Sequence, residues 1–199
     1  MNAPIQDEKT RKTKIANICR WLMYMNPVVL DTETTGFDQN SEVVEIAIVE
    51  AKNKNVLMNQ LINPMAPIPE KVSKINHITG ELLKDEMTMK AHWFSIHDYL
   101  EGRVVVAYNA AFDMRLLAQS AEMWNMDTTI QWLGVFDLMQ LYAEFQGKWN
   151  AKRQSWQFIK LADAAEQCGL VGDTNYHRAL ADTLVTRDLL AYLAGWKYE

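Results

Sequence analysis

With 199 residues, 49% of them hydrophobic and 23% charged, the chain can bury one sizeable core and has the composition of a soluble globular domain. No apolar run approaches the roughly 18 residues of a membrane span, and the polar start MNAPIQDEKTRKTK lacks the apolar centre of a secretory signal. The net charge of −5 is not that of a general polyanion binder, and two distant cysteines, Cys19 and Cys168, suit reduced thiols in a cytoplasmic protein.

Taken in chain order, residues 8–25 predict a helix, with Ile15, Ile18, Cys19, Leu22 and Met23 at three- and four-residue steps. They form an N-terminal extension, 1–25, ahead of a domain spanning 26–199. Asn26-Pro27 ends the helix. Val28 to Glu33, Val43 to Glu50 and Val56 to Ile62 predict three strands, the last two joined by the polar link Lys52-Asn53-Lys54-Asn55. Asn63 to Pro69 holds three prolines and must be a loop. Helical patterns follow at 70–76 and 88–101, then a strand from Arg103 to Tyr108 and a helix from Ala110 to Trp124. Trp132 to Phe136 predicts a strand with a helix after it, and helices at about 157–168 and 178–194 close the chain. Three strands followed by strands alternating with helices predict an α/β domain with a mixed sheet.

The acids stand out against this frame. In VVLDTETTGF, Asp31 and Glu33 lie two apart on a strand and so project to one side. One such acid commonly bonds a local turn; two on one face suggest an oxygen-ligand site for a hard cation such as Mg²⁺ or Mn²⁺. Bound cations would also offset clustered negative charge. Asp113 sits early in a helix, where an acid is ordinarily a partner for the helix dipole. His177 precedes the last predicted helix and Asp182 lies within it. Asp137 starts a helix and is expected to cap it.

Together DTETTG, YNAAFD and HRALAD, in that order, resemble the DEDDh family of 3′→5′ exonucleases, which includes the proofreading epsilon subunit of bacterial replicative polymerase, RNase T and oligoribonuclease. The resemblance runs over about residues 27–194, with INP at 62–64 and INHITG at 75–80 as smaller echoes. It implies an α/β, RNase H-like fold with a mixed five-stranded sheet flanked by helices. It implies two divalent metals, Mg²⁺ or Mn²⁺, held by Asp31, Glu33, Asp113 and Asp182, with His177 as general base. Many members carry histidine where this chain has Tyr108, which leaves the acids intact but can alter substrate contacts.

Two metals about 3.5–4 Å apart can stabilise an in-line phosphoryl transition state, and an imidazole suits proton removal near neutral pH. Candidate substrate contacts are Thr34, Thr35, Phe37, His77 and Asn109. Phe37 either stacks on a terminal base or caps the core, and His77 touches substrate or ends a helix. Phe145 to Ala162 holds no acid, and its Lys152 and Arg153 suit a single-strand track, whereas Trp156 suits docking of the loop.

The expected activity is removal of 5′-mononucleotides from 3′ ends, on single-stranded or frayed DNA, in proofreading, repair or end trimming. RNA trimming is the alternative substrate, and a non-catalytic nucleic-acid-binding module is the alternative from another class. A phosphatase of the haloacid dehalogenase type fits worse, because it wants aspartate at the second acid and has no use for HRALAD. The chain ends soon after Asp182, so an attached polymerase or helicase domain is not expected; a polymerase or repair complex could recruit it, as a monomer or a dimer.

Overall fold

The computed structural model describes residues 7–170 and 177–197, so residues 1–6 of the N-terminal extension lie outside the described residues. Five strands form one mixed sheet in the order β3-β2-β1-β4-β5. β1 (Val28–Thr34), β2 (Val43–Glu50) and β3 (Val56–Leu61) are an antiparallel meander. β4 (Val104–Ala107) and β5 (Gly134–Asp137) run parallel to β1, so β1 is the central strand.

Alternation along β1 divides the core. Val28 and Leu30 pack with Ile46, Ile48, Trp93 and Leu116, under α4 (Met89–Leu100) and α5 (Ala110–Met123). Val29 packs on the opposite face with Ile15, Leu22, Leu138 and Leu189, under α1 (Glu8–Met25), α6 (Leu138–Gln146) and α8 (Ala179–Ala194). Coverage on both faces explains why β1 opens as an unbroken apolar run. Asp31 and Glu33 continue the Val29 series and therefore point to the α8 side. Between β3 and α4 lie α2 (Glu70–Asn76) and α3 (Gly80–Leu83).

Two arginines fasten α8 along β2. Arg187 is fully buried and donates to the carbonyls of Ala51 (2.5 Å) and Lys52 (3.2 Å) beyond the end of β2. Arg178, at the helix start, reaches Glu45 within β2. The helix that carries Asp182 is thereby fixed at its start and near its middle.

The segment between α6 and α7 (Leu161–Gln167) departs from the sequence expectation. It forms a small hairpin, β6 (Trp149–Asn150) with β7 (Ser155–Trp156), and α7 starts at Leu161 rather than near 157. Trp149 and Trp156 pair edge-to-face across the hairpin at 5.1 Å, and the Arg11 guanidinium lies 5.6 Å from the Trp156 ring. Those contacts, with the Tyr108 hydroxyl donating to the Ile159 carbonyl at 2.6 Å, hold the approach to α7 extended. Both cysteines are free thiols, and no described helix is long and apolar enough to cross a membrane.

Candidate active site

The site forms where the end of β1 meets the starts of α5 and α8. Carboxylate oxygens of Asp31, Glu33 and Asp182 all lie within 4.8 Å of one another. Asp31 and Glu33 arrive together by strand alternation, and Asp182 is presented by the first turn of α8. One Asp182 oxygen, Oδ2, accepts from the His177 amide at 3.3 Å. The other, Oδ1, is buried and makes no hydrogen bond. A buried carboxylate oxygen with no partner is costly, and a cation would satisfy it.

Asp113 enters from α5, on the other face of the sheet. It is buried, and its Oδ1 accepts from both the amide (3.1 Å) and the hydroxyl (2.8 Å) of Thr32. Its charge acts on Asp31 more strongly than that of any other neighbouring acid. The fourth acid is thus beside the three-carboxylate cluster, with one oxygen tied to β1.

The electrostatics reflect this crowding. Burial, then the charges of Asp113, Asp182, Glu33 and Glu45, push Asp31 well above the ordinary carboxylate range. Burial, then Asp182 and Glu45, push Glu33 up to about 8; the Asn76 amide works in the opposite direction. Asn76 is itself buried, and its Nδ2 faces Glu33 without a well-formed hydrogen bond. Burial pushes Asp113 up to about 7 against the two bonds from Thr32. Asp182 is raised by burial, while the His177 amide and imidazole hold it down. A group of carboxylates that resist ionisation together is a receptor for positive charge.

His177 is exposed and holds a left-handed backbone, φ 73°, immediately before α8. Its imidazole is close enough to act on the Asp182 charge, which puts it at the rim of the cluster.

Two expected substrate contacts have their hydroxyls bonded within a turn. The Thr34 hydroxyl donates to the Gly36 carbonyl at 2.7 Å, and the Thr35 hydroxyl accepts from the Glu42 amide at 2.9 Å. Both side chains are buried, and their hydroxyls brace the turn between β1 and β2. Phe37 is 79% exposed, which rules out capping of the core. Its ring lies 5.6 Å from that of Phe112, and Arg115 donates to its carbonyl at 3.2 Å. Exposed His77 ends α2 with φ 58°. Exposed Asn109 precedes α5 with φ 73°, and its amide donates to Asp137, which also caps α6. Lys152 and Arg153 sit exposed at the turn of the β6–β7 hairpin, their amides bonded to Asn150 Oδ1.

Four residues of the site were not singled out in the sequence: Thr32, Glu45, Asn76 and Arg178. Glu45 had a usable signal, being an acid inside the otherwise apolar run VVEIAIV. It is buried and stands directly across from Glu33 in the β1–β2 register.

A family model described as an exonuclease matches residues 28–190. An exonuclease of Escherichia phage 186 is 34% identical over 176 residues, covering 84% of this chain and 87% of that protein. The PolC-type DNA polymerase III of Thermotoga maritima is 33% identical over 164 residues, which is 80% of this chain but only 11% of the polymerase. Among solved structures, Exonuclease X in complex with 5′-overhanging duplex DNA superposes with a TM-score of 0.62 at 24% identity, over 86% of this chain and 94% of that one. The nuclease domain of 3′hExo, a DEDDh family member, bound to rAMP, gives 0.64 at 13% identity, with the same two coverages.

Proposed function

The chain belongs to the DEDDh family of 3′→5′ exonucleases, and from that membership we propose that it trims DNA 3′ ends, single-stranded or frayed, with two divalent ions. Asp31, Glu33, Asp113 and Asp182 would hold the ions, and His177 would accept a proton. The observation that carries this is the meeting of Asp31, Glu33 and Asp182 oxygens within 4.8 Å around the unpartnered Asp182 Oδ1. The donor set is all carboxylate, which favours Mg²⁺ or Mn²⁺ over softer metals.

When bound, the ions supply Lewis-acid stabilisation of the charge that develops on the phosphate. The residues of the chain do the rest. Asp31 sits among the other acids that would hold the ions. Asp113 is oriented by Thr32, and Asp182 by the amide of His177. The His177 imidazole takes a proton from the attacking water near neutral pH and passes it to solvent, to which it is open. Phe37 offers an exposed aromatic face to the last base, with Phe112 behind it. Lys152 and Arg153 offer charge to the strand upstream.

DNA is the favoured substrate because the PolC-type relative is a DNA polymerase by name, and Exonuclease X was solved on DNA. A polymerase or repair assembly is the corresponding partner. The test is digestion of 5′-labelled single-stranded DNA, frayed duplex and RNA in Mg²⁺ or Mn²⁺. A stepwise ladder on DNA, absent for Asp31→Ala, supports the proposal. A ladder on RNA alone transfers the enzyme to RNA trimming, and no ladder from the unmutated protein favours a binding module.

A further inference from the structure

Glu45 and Arg178 form the tightest polar contact of the site outside its four acids. The Arg178 guanidinium donates to both Glu45 oxygens, from Nε at 3.1 and 3.0 Å and from Nη2 at 2.6 Å. Glu45 also accepts from the Ala179 amide at 2.9 Å. The carboxylate therefore caps α8 from another element, since Arg178 at the cap position makes no side-chain cap of its own. Glu45 is 3% exposed, so it needs a cation, and among the described residues Arg178 is the one paired with it.

The residue before this clamp is His177. Its φ of 73° is a conformation that residues other than glycine adopt at a cost, and such a backbone persists only where its surroundings dictate it. Two bonds frame it: the His177 amide to Asp182, and the Arg178 fork to Glu45. Released from Glu45, the His177 backbone would relax towards ordinary angles and carry the imidazole with it. Asp31 and Glu33, on β1, would stay in place.

We propose that Glu45 and Arg178 are positioning residues for the reaction, a clamp between β2 and the start of α8 that sets where the His177 imidazole stands. The inference rests on His177 acting as proton acceptor. A group displaced by about 1 Å can lose 100-fold in rate. Arg178→Ala should therefore lower kcat by about 100-fold, leaving KM for a short oligonucleotide largely unchanged.

The test is a double-mutant cycle on single-turnover rates with Mn²⁺, using the wild type, Arg178→Ala, His177→Ala and the double variant. If the clamp works through His177, Arg178→Ala costs far less, at most a few-fold, once His177 is gone. Equal losses in both backgrounds would overturn the proposal, as would an unchanged kcat or a loss confined to KM. Cooperative melting of each variant is checked first. Should Arg178→Ala not fold, Arg178→Lys takes its place, since lysine keeps the charge and loses the fork, and the same inequality is required. A His177→Ala enzyme as fast as the wild type would instead overturn the proton-acceptor assignment and this inference with it, whereas additivity with an impaired His177→Ala overturns the clamp alone.

Discussion

Asp113 Oδ1 accepts two hydrogen bonds from Thr32, the residue next to Asp31, at 3.1 Å from the amide and 2.8 Å from the hydroxyl. The central strand thus presents Asp31 to one side and grips a helix acid from the other. Replacing Thr32 with valine keeps the shape and the amide bond but removes the hydroxyl donor. Loss of a partner to a metal-site ligand commonly costs about 10–100-fold in affinity or activity. Thr32→Val should lose activity in that range, recoverable in part at higher Mn²⁺, as a metal titration of the initial rate will measure. Activity equal to wild type at limiting Mn²⁺ would contradict the orienting role.

The crowded acids predict an unusual pH dependence for the metal-free protein. In the unfolded chain these groups ionise near the ordinary values of 3.8 and 4.5, whereas in the fold Glu33 is raised to about 8 and Asp113 to about 7. Between those limits the folded state binds more protons than the unfolded one, so stability falls as pH rises. Melting in EDTA should decline from about pH 5 to pH 8, the window set by those shifts. Saturating Mg²⁺ or Mn²⁺ should flatten or reverse the slope, and a rising melting temperature in EDTA over that range would refute the shifts.

Neutralising one acid separates stability from function. Asp31→Asn removes a carboxyl group whose ionisation burial and its neighbours oppose, so the metal-free variant should melt above the metal-free wild type. It should gain little from added Mn²⁺ and cleave nothing. Paired melts with and without Mn²⁺ measure both effects; an Asp31→Asn protein less stable than wild type in EDTA would argue against mutual repulsion at the site.

Phe37 is proposed as a substrate contact, and its ring is largely exposed. Its removal should leave stability nearly unchanged, because the ring buries little area, and weaken binding of a DNA end by the about 1–3 kcal/mol typical of one base stacked on an aromatic ring. Fluorescence anisotropy of a short oligonucleotide with an inactive variant as host gives the comparison.

The helix α1 is packed as deeply as the sheet. Ile15, Cys19, Leu22 and Met23 are all fully buried, in one cluster with residues of β1, β4 and α8. Leu22→Ala should cost about 2–5 kcal/mol of stability by urea denaturation. A cost well below 1 kcal/mol would mean that the helix is a dispensable extension.

Sequence alone conveyed the strands and the acids for a local reason: both depend on short-range periodicity. Val43–Glu50 was legible as a strand because its apolar run is bounded by polar turns, and Asp31 with Glu33 as a pair because strand residues alternate. The hairpin β6–β7 was not legible, since two-residue strands have no period and the Trp149–Trp156 contact that closes it spans a turn. Likewise Arg178 and Glu45 are 133 residues apart, and nothing local to either announces the other. The bonding of Thr34 and Thr35 shows only in the folded turn. Hydroxyls beside two acids look available, but the turn between β1 and β2 uses both.

The central claim is that Asp31, Glu33 and Asp182 share divalent cations. Anomalous diffraction from crystals grown with Mn²⁺ tests it most directly. The prediction is density between those three carboxylates, with a neighbouring peak reached by Asp113 when a strand end is bound, and none in Asp31→Ala. Crystals saturated with Mn²⁺ that show no peak among these oxygens would contradict it.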